Sequence, residues 1–398
     1  MQDIIIFGLA RWDGEYSSTT LSLAMELSKH TRVFYVDNPF TLNAVVKDFK
    51  KPGLKRRLKA LFMGLDYVST PFPEYPQLHT VIPPAVLPIN WINSTKIYDK
   101  LKRFNDRIIL PRLGKLIKDM AIERPIYINI FNPFYLDHLD ASFNPSLNIY
   151  FTVDNIGASA YIGKHGVRLE EKAFKNADFG LATSKQLQKY ASAFNKTYYL
   201  PNAANIDLFT TAENDLEKPA ELATLKGEII VYTGNLSIRE DYPLLKKIAL
   251  RYPERHLVLV GPINTKSHLE QGLDQLPNVH FTGGKKLEEL PAFLKYADCA
   301  IIPFIPNDLT AGIYPLKINE YLASKTPVVS TRFSEDIASF APVCYLAENQ
   351  EDFIDKIDLA IKENSAQLEA ERHAFAKENN WSNRAKQLLD IIQNELSK

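Results

Sequence analysis

Residues Pro303 to Thr331 read PFIPNDLTAGIYPLKINEYLASKTPVVST, and this stretch decides the fold. Just ahead of it, Asp298-Cys299-Ala300-Ile301-Ile302 is a short apolar run that predicts a buried parallel strand. Behind it, Pro327-Val328-Val329-Ser330 predicts the next strand, entered through a proline turn. Between them Ile318, Tyr321 and Leu322 recur at helical spacing, and Pro315 stands where a first helical turn tolerates it. The unit is therefore strand, loop, helix, strand. The loop Thr310-Ala311-Gly312-Ile313 is expected to open at the helix N-terminus, where free N–H groups and the dipole favour an anion. Lys317 falls in that first turn and Glu320 one turn on. A cation beside phosphate and a carboxylate within reach of a ribose diol are what a nucleoside-diphosphate site needs.

These residues resemble the donor-binding segment of GT-B-fold glycosyltransferases, in particular the family-four type that uses nucleotide sugars. Those enzymes carry a strand ending in Pro, a small-residue loop and a Lys-x-x-Glu helix running into Gly-x-Pro-Val-Val. The counterparts are Pro315 to Ala323, with Lys317 and Glu320, and then Pro327-Val328-Val329. Two positions depart from that pattern. The first glutamate of the family's E-x7-E pair falls at Gly312, and Lys325 replaces a usual glycine.

Other landmarks follow in the family's order. Leu200-Pro201-Asn202-Ala203-Ala204-Asn205-Ile206-Asp207-Leu208-Phe209 resembles the linker between the two domains, with Ala203 in place of glycine. The strand Ile229 to Thr233 leads into Gly234-Asn235-Leu236, and Arg239 stands where the family holds the diphosphate. A guanidinium suits that role because it can fork two phosphate oxygens. Glu240 occupies a position where lysine is common, which leaves half of that clamp. Leu257 to Pro262, Asn278 to Gly284 and Leu290 to Asp298 match the next strand-turn, strand-loop and helix. The resemblance to bacterial cell-surface polysaccharide glycosyltransferases, of the teichuronic acid and exopolysaccharide type, extends to Tyr150–Asn155 and Glu170-Glu171.

The first half begins as a β-α-β unit: Ile4 to Gly8, a helix carrying Leu21, Ala24 and Leu27, and Arg32 to Asp37. No Gly-x-Gly-x-x-Gly follows the first strand, which counts against a dinucleotide enzyme. In the resembled fold the first loop faces the cleft, which makes Asp13, Gly14 and Glu15 site candidates; capping by Ser17 or Ser18 is the plainer reading. Pro71–Pro76 and Pro83-Pro84 predict a loop-rich insertion before a helix at about 94–120. The strand ending at Phe151 leads into Asp154 and Asn155, where open α/β sheets place their sites. His165 is expected in the Gly-rich loop Gly163-Lys164-His165-Gly166, as a surface residue or a catalytic one. After Cys344 the chain reads as helical, ending in a helix that in this fold crosses back to the first domain.

At 398 residues with ordinary hydrophobic and charged content, two α/β domains are expected. Two cysteines, one in an apolar strand, argue for a reducing compartment and against a disulfide or zinc framework. The N-terminal segment lacks the features of an export signal, and no apolar run reaches the length of a membrane span, so a cytoplasmic location is expected. Residues 1–203 hold 26 Lys+Arg against 18 Asp+Glu, and the remainder hold 21 against 29. The basic half is expected to meet something anionic. Its cations concentrate on Lys47–Lys59 and Lys96–Lys118 with apolar residues interleaved, a pattern that suits an anionic bilayer surface or a solvated face. No nucleic-acid motif accompanies the charge.

The expected architecture is α/β GT-B: two Rossmann-like, doubly wound parallel-sheet domains facing a cleft. Residues 1–203 plus 380–398 would form the acceptor domain and 204–379 the nucleotide-sugar domain. The resemblance implies transfer of a sugar from a nucleotide diphosphate, a UDP-sugar favoured, to a glycan or lipid-linked acceptor. Arg239, Lys317 and the Thr310–Ile313 backbone would hold the diphosphate, with Gly234 and Asn235 beside them and Glu320 on the ribose. Asp154 or Asp13 would act as base if the reaction inverts, with Gly14, Glu15, Asn155 and His165 lining the acceptor side. No cofactor and no metal are expected, since no Asp-x-Asp occurs and two cations can neutralise the leaving group. Two rivals remain: a nucleotide-sugar 2-epimerase of the same fold, and a non-catalytic two-domain binding protein.

Overall fold

Branched and aromatic residues crowd the runs 4–8, 33–36, 126–130 and 147–152, and in the computed structural model each becomes a strand with no polar face. The structure describes residues 2–14, 18–137, 139, 143–210 and 216–398. They divide into two compact units, Met1–Pro201 with Ala385–Lys398, and Asn202–Arg384.

The first unit is built on eight strands: β1 (Ile4–Gly8), β2 (Val33–Val36), β3 (Val68–Ser69), β4 (Leu78–Val81), β5 (Ile126–Ile130), β6 (Leu147–Thr152), β7 (Phe179–Ala182) and β8 (Thr197–Tyr199). Their order in the sheet is β3-β4-β2-β1-β5-β6-β7-β8, parallel except for the β3–β4 pair. The order reverses direction at β1, next to β5, so polar loops from both halves emerge together at the carboxyl ends of those strands. The strands β1, β2 and β5 are buried on both faces, as in parallel sheets joined by crossovers. The helix Thr19–Leu27 starts where the Ser18 hydroxyl accepts the Leu21 N–H at 3.2 Å. The long helix Thr95–Asp119 continues through Pro111 and buries Ile109, Leu113 and Leu116 against Ile5, Phe34 and Tyr127. The proline-rich stretches 71–76 and 83–84 are loop, as expected, and β4 forms between them because Leu78 and Val81 are buried beside β2.

The second unit holds β9 (Ile229–Thr233), β10 (His256–Val260), β11 (Val279–Gly283), β12 (Cys299–Ile302), β13 (Val328–Thr331) and β14 (Tyr345–Ala347). They form an all-parallel sheet in the order β11-β10-β9-β12-β13-β14, with one continuous core running from Ile230 and Leu259 through Ile301 and Tyr321 to Phe353. The chain after Cys344 is not wholly helical as expected: β14 pairs with β13 before the helix Gln350–Lys362 begins. The helix Leu316–Ala323 ends at Lys325, whose φ of 63° lies in the left-handed region that favours glycine.

The last helix, Trp381–Leu396, packs on the first unit through its second half. Glu395 takes the Lys196 ammonium at 2.7 Å and the Tyr198 hydroxyl, and Gln387 donates to the Tyr199 carbonyl at 3.2 Å.

Candidate active site

In the second unit the residues singled out from the sequence converge at the carboxyl end of β9. Gly234 follows that strand with φ of 135°, and a Cβ there would stand 2.7 Å from the Lys317 ammonium. A Cβ on Gly261 would collide with the Gly234 carbonyl, so glycine is needed at both places. Lys317, on the first turn of Leu316–Ala323, donates to the Tyr232 hydroxyl at 2.7 Å. Its ammonium lies 4.0 Å from the centre of the Tyr232 ring and 5.0 Å from that of Phe304. Burial lowers the Lys317 pKa to about 8, with Glu240 and Glu320 pulling it back up and Arg239 pressing it further down. Those couplings place Arg239, Glu320 and Lys317 in one electrostatic cluster.

Glu320 is half-buried, has no hydrogen-bond partner among the described residues, and has its pKa raised by burial to about 7 despite the nearby Lys317. It is a carboxylate available to hydroxyl donors. Arg239 sits on a strap that is sewn to the end of β12. Its carbonyl accepts the Ile305 N–H at 2.8 Å, and Asp241 N–H donates to the Pro303 carbonyl at 2.7 Å. The exposed Asn235 accepts from Asn264 at 2.7 Å.

Sequence reasoning missed the residues that hold this cluster in place. The Tyr232 hydroxyl donates to Glu240 at 2.6 Å, and Glu240 also accepts the Ser237 N–H at 2.6 Å. Glu240 is buried. It therefore ties the Arg239 strap to the residue that holds Lys317, in a position that the sequence presented only as an absent lysine. Tyr321 accepts the Thr233 N–H at 2.8 Å and fixes the helix to the end of β9. An aromatic residue four places after Lys317 was legible, but its hydroxyl's target was not.

The expected anion loop at Thr310–Ile313 is organised differently. Asn307 and Thr310 close a capping box around the short helix Asp308–Ala311, with Asn307 N–H donating to Thr310 Oγ1 at 3.1 Å. The N–H groups of Ala311 and Ile313 are taken by the carbonyls of Asn307 and Thr310, at 2.9 and 3.0 Å. The loop thus precedes the helix start at Leu316, and Gly312 has an ordinary φ of −80°.

In the first unit, Asp13 is committed to two guanidinium groups, with Arg57 at 2.7 Å and Arg56 at 2.9 Å. Buried Arg57 also reaches Asp37 at 3.2 Å. Burial raises the Asp13 carboxyl but the two arginines outweigh it, and the net pKa is lowered. That makes Asp13 a poor base. Gly14 closes a turn by donating to the Arg11 carbonyl at 3.1 Å, and Glu15 lies outside the described residues.

Asp154 follows β6 and accepts the Asn155 N–H at 2.8 Å, while Asn155 accepts the Gly157 N–H at 3.0 Å and caps the turn Ile156–Ala158. Beneath Asp154 lies Glu170, buried, accepting from Thr152 Oγ1 at 2.8 Å and Tyr150 at 3.2 Å. Burial raises its pKa to about 7, and the Asp154 charge adds to the rise. His165 is not in a loop. It lies within the helix Ala160–Asn176, buried, with Nε2 at 2.7 Å from the Ile92 carbonyl and its ring stacked 3.8 Å from Tyr98. Among the described residues no group of three or more His, Cys, Asp or Glu is arranged to hold a metal ion.

Known proteins resemble this chain in sequence over part of its length and in fold over nearly all of it. Residues 227–363 match the family model described as glycosyl transferases group 1. TuaH of Bacillus subtilis (strain 168), whose name assigns it to teichuronic acid biosynthesis as a glycosyltransferase, is 25% identical over 207 residues. That match takes in 51% of this chain and spans only about half, 52%, of TuaH itself. Sucrose-phosphate synthase from Thermosynechococcus elongatus superposes with a TM-score of 0.68 at 16% identity, covering 100% of both chains. HepE of Anabaena, solved in complex with UDP and glucose, gives 0.65 at 12% identity, covering 99% of this chain and 100% of its own. The chain has the GT-B fold and, over residues 227–363, is similar to the glycosyl transferases group 1 family.

Proposed function

We propose that the protein is a glycosyltransferase that moves a sugar from a nucleotide diphosphate sugar, a UDP-sugar the favoured donor, to a glycan or lipid-linked acceptor in surface polysaccharide synthesis. The observation that carries this reading is the Lys317 ammonium, held by Tyr232 and coupled electrostatically to Arg239 and Glu320 within the matched domain. Two preorganised cations neutralise the diphosphate as the glycosidic bond breaks, and their effect is large because the site is desolvated. Glu320 suits the ribose hydroxyls. A 2-epimerase would need carboxylates and a histidine converging on the donor sugar, and Gly312 occupies the position where the family's first glutamate stands. Asp154, with Glu170 beneath it, is the candidate base if the reaction inverts; Asp13 is spent on its arginines. The direct test is incubation with UDP-sugars and measurement of UDP release. Slow UDP release in the wild type, lost in K317A, supports the reading, and no release from any nucleotide sugar contradicts it. The same two cations lead us to propose that no metal is needed, so EDTA should leave turnover unchanged.

We further propose that the protein works in the cytoplasm, against an anionic membrane surface. Val46, Phe49, Phe62, Met63 and Leu65 are each more than half exposed, interleaved with exposed Lys47, Lys50, Lys51, Lys55 and Lys59. Three of the cations counted toward this surface do not face it. Arg57 is buried with Asp13 and Asp37, Lys102 with Asp106 and Asp137, and Arg112 donates to the carbonyls of Ile82 and Ala60. No helix among the described residues is long and apolar enough to cross a membrane.

A further inference from the structure

The loops that leave β1, β2 and β5 in the first unit surround a pocket of about 490 Å³. Trp91, Tyr98, Phe134, Tyr135 and Tyr161 give it aromatic walls, and among the described residues Arg11 is the one charged side chain that lines it. The Arg11 guanidinium is fixed flat on Phe40, 3.7 Å from the ring centre, and its Nε donates to the Asn38 carbonyl at 3.3 Å. Its two terminal nitrogens make no hydrogen bond among the described residues. Asp37, Asp13 and Asp48 attract the charge and Arg57 repels it, but none of the four lines the pocket.

Two further polar groups that line the pocket have no hydrogen-bond partner among the described residues. Tyr98 is 1% exposed, lines the pocket and has no hydrogen-bond partner for its hydroxyl among the described residues. Its ring is clamped by the stacked His165, which is itself anchored to the Ile92 carbonyl. The Tyr135 hydroxyl is likewise without a hydrogen-bond partner among the described residues. At the rim, Trp91 is 71% and Tyr161 70% exposed, and the indole is pinned through Nε1 to the Pro88 carbonyl at 2.9 Å. Rigid aromatic faces with convergent hydroxyls suit the apolar face and hydroxyl rim of a pyranose. A desolvated guanidinium with its forked edge free suits a carboxylate or phosphate.

We infer that this pocket binds a pyranose unit carrying an anionic group, with the anion on Arg11 and sugar hydroxyls on Tyr98 and Tyr135. As the acceptor class of the reaction, this rests on the glycosyltransferase reading; as a binding site it stands on the first unit alone. The test is isothermal titration of the full chain with methyl glucuronide, glucose 6-phosphate and methyl glucoside, and with UDP as a separate arm. At least one anionic pyranoside should bind roughly tenfold or more tightly than methyl glucoside, since a charge-assisted contact contributes about that ratio. The better of the two distinguishes a carboxylate from a phosphate ligand. R11Q should abolish the preference, and Y98F should weaken all three pyranosides, with UDP affinity unchanged in both. Should R11Q fold poorly, W91A serves in its place: it should weaken all three and keep the anionic preference. Equal binding of charged and neutral pyranosides, or no effect of W91A, overturns the inference. UDP binding without pyranoside binding also overturns it and leaves the glycosyltransferase reading standing. Pyranoside binding without UDP binding supports it and removes the nucleotide donor instead.

Discussion

The Lys317 ammonium donates to the Tyr232 hydroxyl at 2.7 Å while lying 4.0 Å from the centre of the same ring. A cation bonded to a phenol that is itself committed to buried Glu240 is held in one place, as the proposed binding of a nucleotide's diphosphate requires. It is also held at an electrostatic cost, and the cost is measurable through pH.

Burial brings the Lys317 pKa down from 10.5 to about 8, so its charge is complete below that pH and is lost as pH rises through it. UDP affinity should therefore fall between about pH 7.5 and 9. K317R keeps its charge throughout this range and should flatten the profile, whatever its affinity at neutral pH. Titrations with UDP across the range check this; a wild-type affinity that is level to pH 9 contradicts it.

Glu320 shifts in the opposite sense, from 4.5 to about 7, because burial disfavours its charge. A carboxyl raised in the folded state contributes stability that is full below about 4.5 and lost as pH rises through 7. Thermal melts should show E320Q gaining on the wild type between pH 4 and pH 8. The same variant should weaken UDP binding but leave inorganic pyrophosphate untouched, because only UDP carries the ribose hydroxyls. An equal loss for both ligands would move Glu320 away from the ribose.

Arg57 is a structural residue rather than a surface cation. Removing it leaves Asp37, whose own pKa burial has raised to about 6, without its partner in the core. Breaking a buried pair of this kind costs about 3–5 kcal/mol, so R57A should lower urea stability by that order. R56A, exposed and paired with the same Asp13, should cost about 1 kcal/mol or less. Similar urea midpoints for the two variants would show that the buried network contributes little.

Membrane docking is tested by sedimentation with anionic vesicles. The wild type should pellet with them at low salt and be released as salt rises, because screening acts over about 8 Å at physiological ionic strength. Changing Lys47, Lys50, Lys51, Lys55 and Lys59 to glutamine should abolish pelleting while UDP affinity stays intact. Arg57 must remain, since its loss would confound docking with unfolding. A wild type that ignores anionic vesicles at low salt points to a soluble acceptor.

The second unit was legible because its strands are short apolar runs bounded by Pro and Gly, and because Lys317 and Glu320 sit at helical spacing behind one of them. What escaped was set by tertiary contacts. His165 read as a loop residue because glycines flank it, yet Gly163 and Gly166 are packing positions, where a Cβ would press on Ile156 at 3.1 and 2.8 Å. Thr310 read as part of an anion loop, but its hydroxyl is consumed by the capping box with Asn307. Glu240 read as a missing lysine because nothing local reveals that Tyr232 and Ser237 turn toward it. Lys325 shows the converse: the family's glycine marks a left-handed position, which this chain fills with a strained lysine. The strands β3 and β14 were too short for periodicity to register, and β4 lies between two proline-rich stretches.

The central claim is that Lys317 and Arg239 together hold a nucleoside diphosphate in the second unit. Calorimetric titration of the wild type, K317A and R239A with UDP tests it most directly. The wild type should bind, and each variant should lose roughly tenfold or more in affinity, as expected when a charge-assisted contact of about 1.5–3 kcal/mol is removed. Unchanged UDP affinity in both variants, with their folds intact by circular dichroism, would contradict the account.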